Sequence, residues 1–170
     1  MCLLDEKTNE AFTELDFMME NEGIKTIDLP PHITLGTYEG VELEELHDYV
    51  ADFVSKNESI ELRFSHLGIF EDSVLFVEPK VTKELLQFHE DFHQKYDDLY
   101  SRNGYYYTLM SNAFVPHVSL ALGNRDKILD ALEIILDYFK PFNGFITELA
   151  IYEFYPIKKI YTFKLKNRRE

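Results

Sequence analysis

Positive charge is scarce in this chain: 17 Lys and Arg stand against 31 Asp and Glu, a net charge of −14 over 170 residues. Duplex nucleic acid is gripped mainly by Lys and Arg against phosphates, so this balance excludes tight, sequence-blind binding to duplex DNA. A small nucleotide or an RNA end is not excluded, because one pocket can oppose the field of the whole surface. Cysteine is almost absent. Cys2 stands alone, which rules out an intrachain disulfide and fits a reducing compartment. Tryptophan is missing altogether, leaving 14 Phe, 11 Tyr and the aliphatic residues to build the core. No apolar run approaches the ~20 residues needed to cross a bilayer. The segment Met1–Glu6 lacks the basic and apolar regions of a signal peptide. Repeats and Gly/Ser linkers are also lacking. The expectation is a cytoplasmic, monomeric protein with no membrane partner, folded as a single domain over residues 1–170.

What is present is a regular alternation of helix and strand signals. After a very short strand at Cys2–Leu4, Asp5 is placed to cap a helix running to about Glu22, with Phe12, Leu15, Met18 and Met19 at helical spacing. Pro30-Pro31 forces an extended entry into a strand, His32–Leu35. Leu43, Leu46, Tyr49, Val50, Phe53 and Val54 mark a second helix. A hairpin follows, Ile60–Phe70 and Val74–Val77 around Glu71-Asp72-Ser73. Leu85, Phe88, Phe92, Tyr96 and Leu99 mark a third helix, and Ser101–Asn112 is ambiguous between loop and strand. Phe114–Leu122 reads as a strand. Asn124 can cap a fourth helix with Ile128, Leu132, Ile135, Leu136 and Phe139 inward, stopped by Pro141. Strands Phe145–Phe154 and Ile160–Leu165 close the chain. Four helices interleaved with strand pairs predict an α+β fold of two similar lobes. The last stretch, Lys158 to Arg169, holds six of the basic residues and reads as a solubilising edge strand and tail.

Two tripeptides carry the chemistry. Pro31-His32-Ile33-Thr34-Leu35 matches Pro116-His117-Val118-Ser119-Leu120 position by position. On a strand, alternate side chains share a face about 7 Å apart. His32 and Thr34 therefore point together, as do His117 and Ser119, with Ile33, Leu35, Val118 and Leu120 turned away. Two such strands side by side would gather two imidazoles and two hydroxyls around one small space. That set suits a phosphodiester: one neutral histidine takes a proton from water and the other, protonated, donates to the departing sugar oxygen. The hydroxyls donate to the non-bridging oxygens, where charge accumulates. Positioning and charge stabilisation carry most of this chemistry, so neither a metal nor another cofactor is required.

At these residues the sequence resembles the 2H phosphoesterase superfamily, and more closely its 2′-5′ RNA ligase-like branch, the RNA 2′,3′-cyclic phosphodiesterases. The resemblance spans nearly the whole chain and includes Leu67-Gly68-Ile69-Phe70 followed by Val74-Leu75-Phe76-Val77, and the strand ending near Tyr155. It implies two pseudo-two-fold-related lobes, each an antiparallel sheet with helices packed outside, and an active cleft between them. It further implies hydrolysis of 2′,3′-cyclic phosphate ends of RNA or of small cyclic nucleotides, with a possible reverse 2′-5′ ligation. Catalysis then falls to His32 and His117 and phosphate binding to Thr34 and Ser119. Arg63, Phe76 and Tyr155 are candidates to line the cleft. The partner expected is a small nucleotide or an RNA terminus bearing a cyclic phosphate. The first strand is shorter than the family's pattern, and Ser119 stands where Thr is commoner.

Two alternatives stand beside this reading. His89-Glu90-Asp91-Phe92-His93 matches H-E-x-x-H, the zinc-hydrolase signature, in which both histidines share a helix face and the glutamate acts as base. No third ligand follows at the expected spacing, and a solvated histidine pair on an outer helix explains the motif better. The other alternative is a non-catalytic nucleotide or RNA-end binding module that keeps the cleft. His47 and His66 have no local partners and read as structural or surface residues.

Overall fold

The computed structural model describes residues 1–24, 26–71 and 73–168. Its elements run β1 (Cys2–Leu4), α1 (Glu6–Asn21), β2 (His32–Ile33), α2 (Leu43–Lys56), β3 (Ile60–Phe70), β4 (Val74–Pro79), α3 (Lys83–Phe92), β5 (Val118–Leu122), α4 (Arg125–Tyr138), β6 (Phe142–Glu153) and β7 (Lys158–Lys164), with a 3₁₀ turn at Tyr105–Tyr107. The α+β class follows as expected. The helix starts obey local capping chemistry: Asp5 Oδ1 accepts the Thr8 amide at 3.2 Å, Thr82 Oγ1 accepts Leu85 and Asn124 Oδ1 accepts Lys127. Asp5 does more than cap. Its second carboxylate oxygen accepts the Phe145 amide at 2.7 Å and pins the start of α1 to β6.

The strands form one antiparallel sheet in the order β2-β1-β6-β3-β4-β5, with β7 paired to the far part of β6. The expected division into a separate sheet for each lobe is therefore replaced by a continuous one. The reason is β6, which is long enough to pair with β1 on one edge and β3 on the other. The sheet curls until its two outermost strands, β2 and β5, approach each other, and Thr26, just before β2, bridges Ala121 of β5. α1 and α4 pack together on one face, where Phe12 meets Phe64 and Phe142 edge-on at 5.1 and 5.3 Å. α2 and α3 meet through Phe53, which lies edge-on to Phe88 and Phe92.

Three expectations need correction. The third helix ends at Phe92 rather than near Leu99: His93 caps it and Tyr96 turns to a φ of 67°. Leu136 of α4 is exposed, while Ala131 takes the inward position. Both motif strands are shorter than predicted: β5 begins only at Val118, and the chain after Ile33 leaves the sheet and bonds to a loop, with Glu39 N–H donating to Leu99 O and Ser101 N–H to Thr37 O. The predicted hairpin turn is framed by Ser73 N–H donating to Phe70 O; its middle residue, Asp72, lies outside the described residues. So does Arg169 of the basic tail, whose described part forms β7, an exposed strand paired with β6. Among the described residues no helix is long and apolar enough to cross a membrane.

Candidate functional site

The strand alternation read from sequence sets the orientation of both tripeptides. Ile33, Leu35, Val118 and Leu120 are at most 2% exposed, whereas His32, Thr34, His117 and Ser119 are only half-buried on the other side. Each histidine is fixed in the same way. His32 Nδ1 donates to the Pro30 carbonyl oxygen at 2.8 Å, and His117 Nδ1 donates to Val115 O at 2.7 Å. A carbonyl oxygen only accepts, so the Nδ1 proton is defined and Nε2 is left as the nitrogen facing out on both rings.

The curl of the sheet brings these groups together. His32 and Ser119 line one small cavity of about 10 Å³, room for about one water, with Phe12, Asp16, Pro31 and Leu120 also in its wall. His32 and His117 are near enough for the charge on one to disfavour charge on the other. Burial pushes the His32 imidazole down to about 4, opposed by its bond to Pro30 and reinforced by His117. Burial also lowers His117, against the pull of Glu78. Asp16, which sequence reasoning did not single out, is pushed up to about 6 by burial and by Glu20. Its helical position facing the cavity would have been hard to distinguish from an ordinary solvated carboxylate.

An aromatic wall stands beside His117. Phe70 meets its ring edge-on at 4.9 Å, Phe76 lies 5.2 Å away, and Phe70 and Phe76 stack on each other at 4.2 Å. Gly68 makes that wall possible: it pairs with Phe76 across the β3–β4 ladder, and a Cβ there would collide with the Phe76 ring. Phe76, a candidate to line the cleft, is buried and packs against the His117 ring. Arg63 donates to Asn143 Oδ1 at 3.1 Å, on the β3–β6 pair rather than beside either histidine. Tyr155 is 88% exposed in the β6–β7 connection. Among the described residues, no hydrogen bond or ring contact ties either one to the two tripeptides.

Tyr107 was missed. Burial raises its phenol, and Thr34 lies near enough to oppose that effect, in a segment the sequence left undecided. The only sequence signal was the run of three tyrosines, which does not distinguish which of them turns inward.

The H-E-x-x-H pair is not solvated, contrary to expectation. His89 and His93 are 3% and 2% exposed, with ring centroids 4.4 Å apart. His89 Nε2 donates to Tyr107 O at 2.6 Å. The two ring nitrogens of His93 reach Asp97 Oδ1 at 2.9 Å and Leu35 O at 2.8 Å. Those contacts occupy both nitrogens of His93 and Nε2 of His89, and among the described residues no group of three or more His, Cys, Asp or Glu is arranged to hold an ion. His47 packs against Tyr161 and Phe163, and His66 is exposed beside Ser65.

No curated protein matches the chain. The sequence profile of the 2′-5′ RNA ligase superfamily does, over residues 8–155, a span that holds both tripeptides, the Phe70–Phe76 wall and Tyr107. By that match the chain belongs to the 2′-5′ RNA ligase superfamily, a family of phosphoesterase type.

Proposed function

We propose that this protein is a metal-independent phosphodiesterase that opens 2′,3′-cyclic phosphates, on small nucleotides or at the ends of short RNA. The observation that carries this reading is the matched fixation of His32 and His117 by the carbonyl two residues before each. It leaves one Nε2 from each end of the curled sheet to serve a single phosphate. The neutral ring removes a proton from the attacking water, and the protonated ring delivers one to the leaving 2′ or 3′ oxygen. Which ring does which follows from the way the substrate lies, and the reverse roles make the opposite, ligating direction available. Thr34 and Ser119 donate to the non-bridging oxygens, and the half-buried Phe70, backed by the buried Phe76, offers an apolar surface beside His117.

The test is turnover of 2′,3′-cyclic AMP and of a short RNA with a 2′,3′-cyclic end, with and without EDTA. Hydrolysis should survive the chelator and fall by about 10²- to 10⁴-fold in His32→Ala and in His117→Ala. Activity that EDTA abolishes and that His89→Ala and His93→Ala remove would replace this reading with a zinc hydrolase. Binding by the wild type with no turnover would replace it with a nucleotide or RNA-end binding module.

A further inference from the structure

The two histidines of the H-E-x-x-H motif take no part in the reaction as described, yet the end of α3 touches the chain beside both tripeptides. His93 faces the first. Its Nε2 lies 2.8 Å from Leu35 O, the carbonyl of the residue after Thr34, and its Nδ1 lies 2.9 Å from Asp97 Oδ1. His89 faces the approach to the second. Its ring lies flat on Phe114 at 3.8 Å and 7°, three residues before His117, and its Nε2 donates to Tyr107 O at 2.6 Å. The segment between α3 and β5 is fastened to the same turn, since Asp97 Oδ1 also accepts the Leu109 amide at 2.9 Å. That segment is tied to the chain leaving Leu35 as well: Ser101 N–H donates to Thr37 O at 2.8 Å, and Thr37 Oγ1 and Ser101 Oγ lie 2.6 Å apart.

A carboxylate and a carbonyl oxygen only accept, so His93 makes both bonds only with a proton on each nitrogen. The ring is then an imidazolium, 2% exposed, with Asp97 as its counter-ion. His89, whose ring centroid is 4.4 Å away, needs no charge, because one proton at Nε2 serves Tyr107 O. Burial and the neighbouring His93 push the His89 imidazole down to about 4, against the effects of Tyr107 and Asp97. We infer that His93 is a positioning residue: it fixes the chain after the first tripeptide to the turn of α3 on which the approach to the second tripeptide rests, and so sets the spacing of His32 and His117. This rests on the phosphodiesterase reading above. The strand itself supplies little of that precision. β2 is two residues long and pairs with β1 through Leu3 and Cys2, so Thr34 and Leu35 lie beyond its ladder. A charge-assisted bond to Leu35 O stands in for the ladder there, and such bonds are the stronger and shorter kind. Two rings that serve one phosphate need this, since a misplacement of about 1 Å can cost about a hundredfold in rate.

The first measurement is a proton–nitrogen correlation of the histidine rings in the wild type at about pH 7.5, above the unperturbed histidine range. His93 should show a bonded proton on both nitrogens and His89 on Nε2 alone; a single proton on His93 would overturn the inference. In Asp97→Asn the ring loses its counter-ion and can no longer donate to both acceptors. Turnover of 2′,3′-cyclic AMP per folded molecule should then fall about tenfold in kcat, with KM changed by less than about twofold. Asp98→Asn makes the same charge change at an exposed position and should leave both constants unaltered. In a His117→Ala background, Asp97→Asn should cost less than about twofold, because the spacing of two rings no longer matters. A full tenfold loss there would mean general loosening and would overturn the inference, as would wild-type kcat in Asp97→Asn. Asp97→Glu, which keeps the charge but moves it by one methylene, is the second variant should Asp97→Asn not fold: about threefold lower kcat supports the inference, and an unchanged kcat refutes it. Should the wild type hydrolyse nothing, the phosphodiesterase reading fails separately. Titration with inorganic phosphate, followed on the His32 and His117 ring signals, then decides this one. About tenfold weaker binding in Asp97→Asn or Asp97→Glu supports it; equal binding, or no response of either ring in the wild type, refutes it.

Discussion

At the level of single residues, the two tripeptide histidines carry an unusual electrostatic instruction. Burial depresses both below the ordinary value, His32 to about 4. The proposed reaction needs one of them charged. In the free protein the charged form is lost as pH rises through a lowered pKa, so kcat/KM should decline with increasing pH already across the acidic range. A bound anionic phosphate favours the imidazolium and pulls that pKa upward, so the alkaline limb of kcat should lie at higher pH than that of kcat/KM. Steady-state profiles on 2′,3′-cyclic AMP between about pH 4.5 and 8.5 measure both limbs. A kcat/KM limb at or above the unperturbed histidine value, ~6.5, would contradict it. Asp16, raised to about 6 in the same cavity wall, titrates within that range, so Asp16→Asn is the control that assigns the limb to the histidines.

Between elements, the β3–β4 hairpin is the part whose packing bears most directly on the site. Gly68 is there for lack of space rather than for backbone freedom: the Phe76 ring covers it, and Phe76 in turn stacks on Phe70 beside His117. In Gly68→Ala the new methyl must displace that ring, which packs against His117. Overpacking of this kind typically costs about 1–3 kcal/mol. The denaturation midpoint should fall accordingly, and turnover should fall by more than the unfolded fraction explains. A variant as stable and as active as the wild type would show that the wall has slack. Much at this scale was readable from sequence. Asp5, Asn124 and Pro141 act on their immediate neighbours, so the ends of α1 and α4 were found. The end of α3 was not. Tyr96 and Leu99 continue the helical spacing, but Tyr96 takes a φ of 67° and packs against Tyr49 and Tyr38 from other parts of the chain. The orientation of His32, Thr34, His117 and Ser119 followed from period-two alternation alone. Tyr107 and the buried state of His89 and His93 did not, because what covers them arrives from distant parts of the chain, and a periodicity reports only which side of its own element a residue occupies.

For the whole molecule, charge outweighs every other influence on how a substrate arrives. The surface carries −14 around a site proposed for an anion, so each added phosphate must approach against the field. At low ionic strength, KM should rise with length from 2′,3′-cyclic AMP to short oligonucleotides with the same end. Raising salt from about 0.01 to about 0.15 M, which shortens the screening length from about 30 to about 8 Å, should narrow that gap. A KM independent of both length and salt would mean that a local basic path offsets the global charge. The single sheet was the least legible feature of the fold, since its order joins strands from both ends of the chain and no local pattern encodes such pairing.

That order has a consequence for how the protein comes into being. Both tripeptides are synthesised before β6, yet β6 is the strand that lies between β1 and β3 and joins the two parts of the sheet. Until it inserts, β2 and β5 belong to separate pieces of sheet, joined only by contacts outside the ladder such as the Thr26–Ala121 bridge and the packing of α1 on α4. A nascent chain that stops short of β6 thus carries every group the reaction uses without the continuous sheet that arranges them. Long-range strand pairing is slow to form because its loop entropy is paid first. Competence is then acquired all at once, late in synthesis, when the final long strand closes the seam.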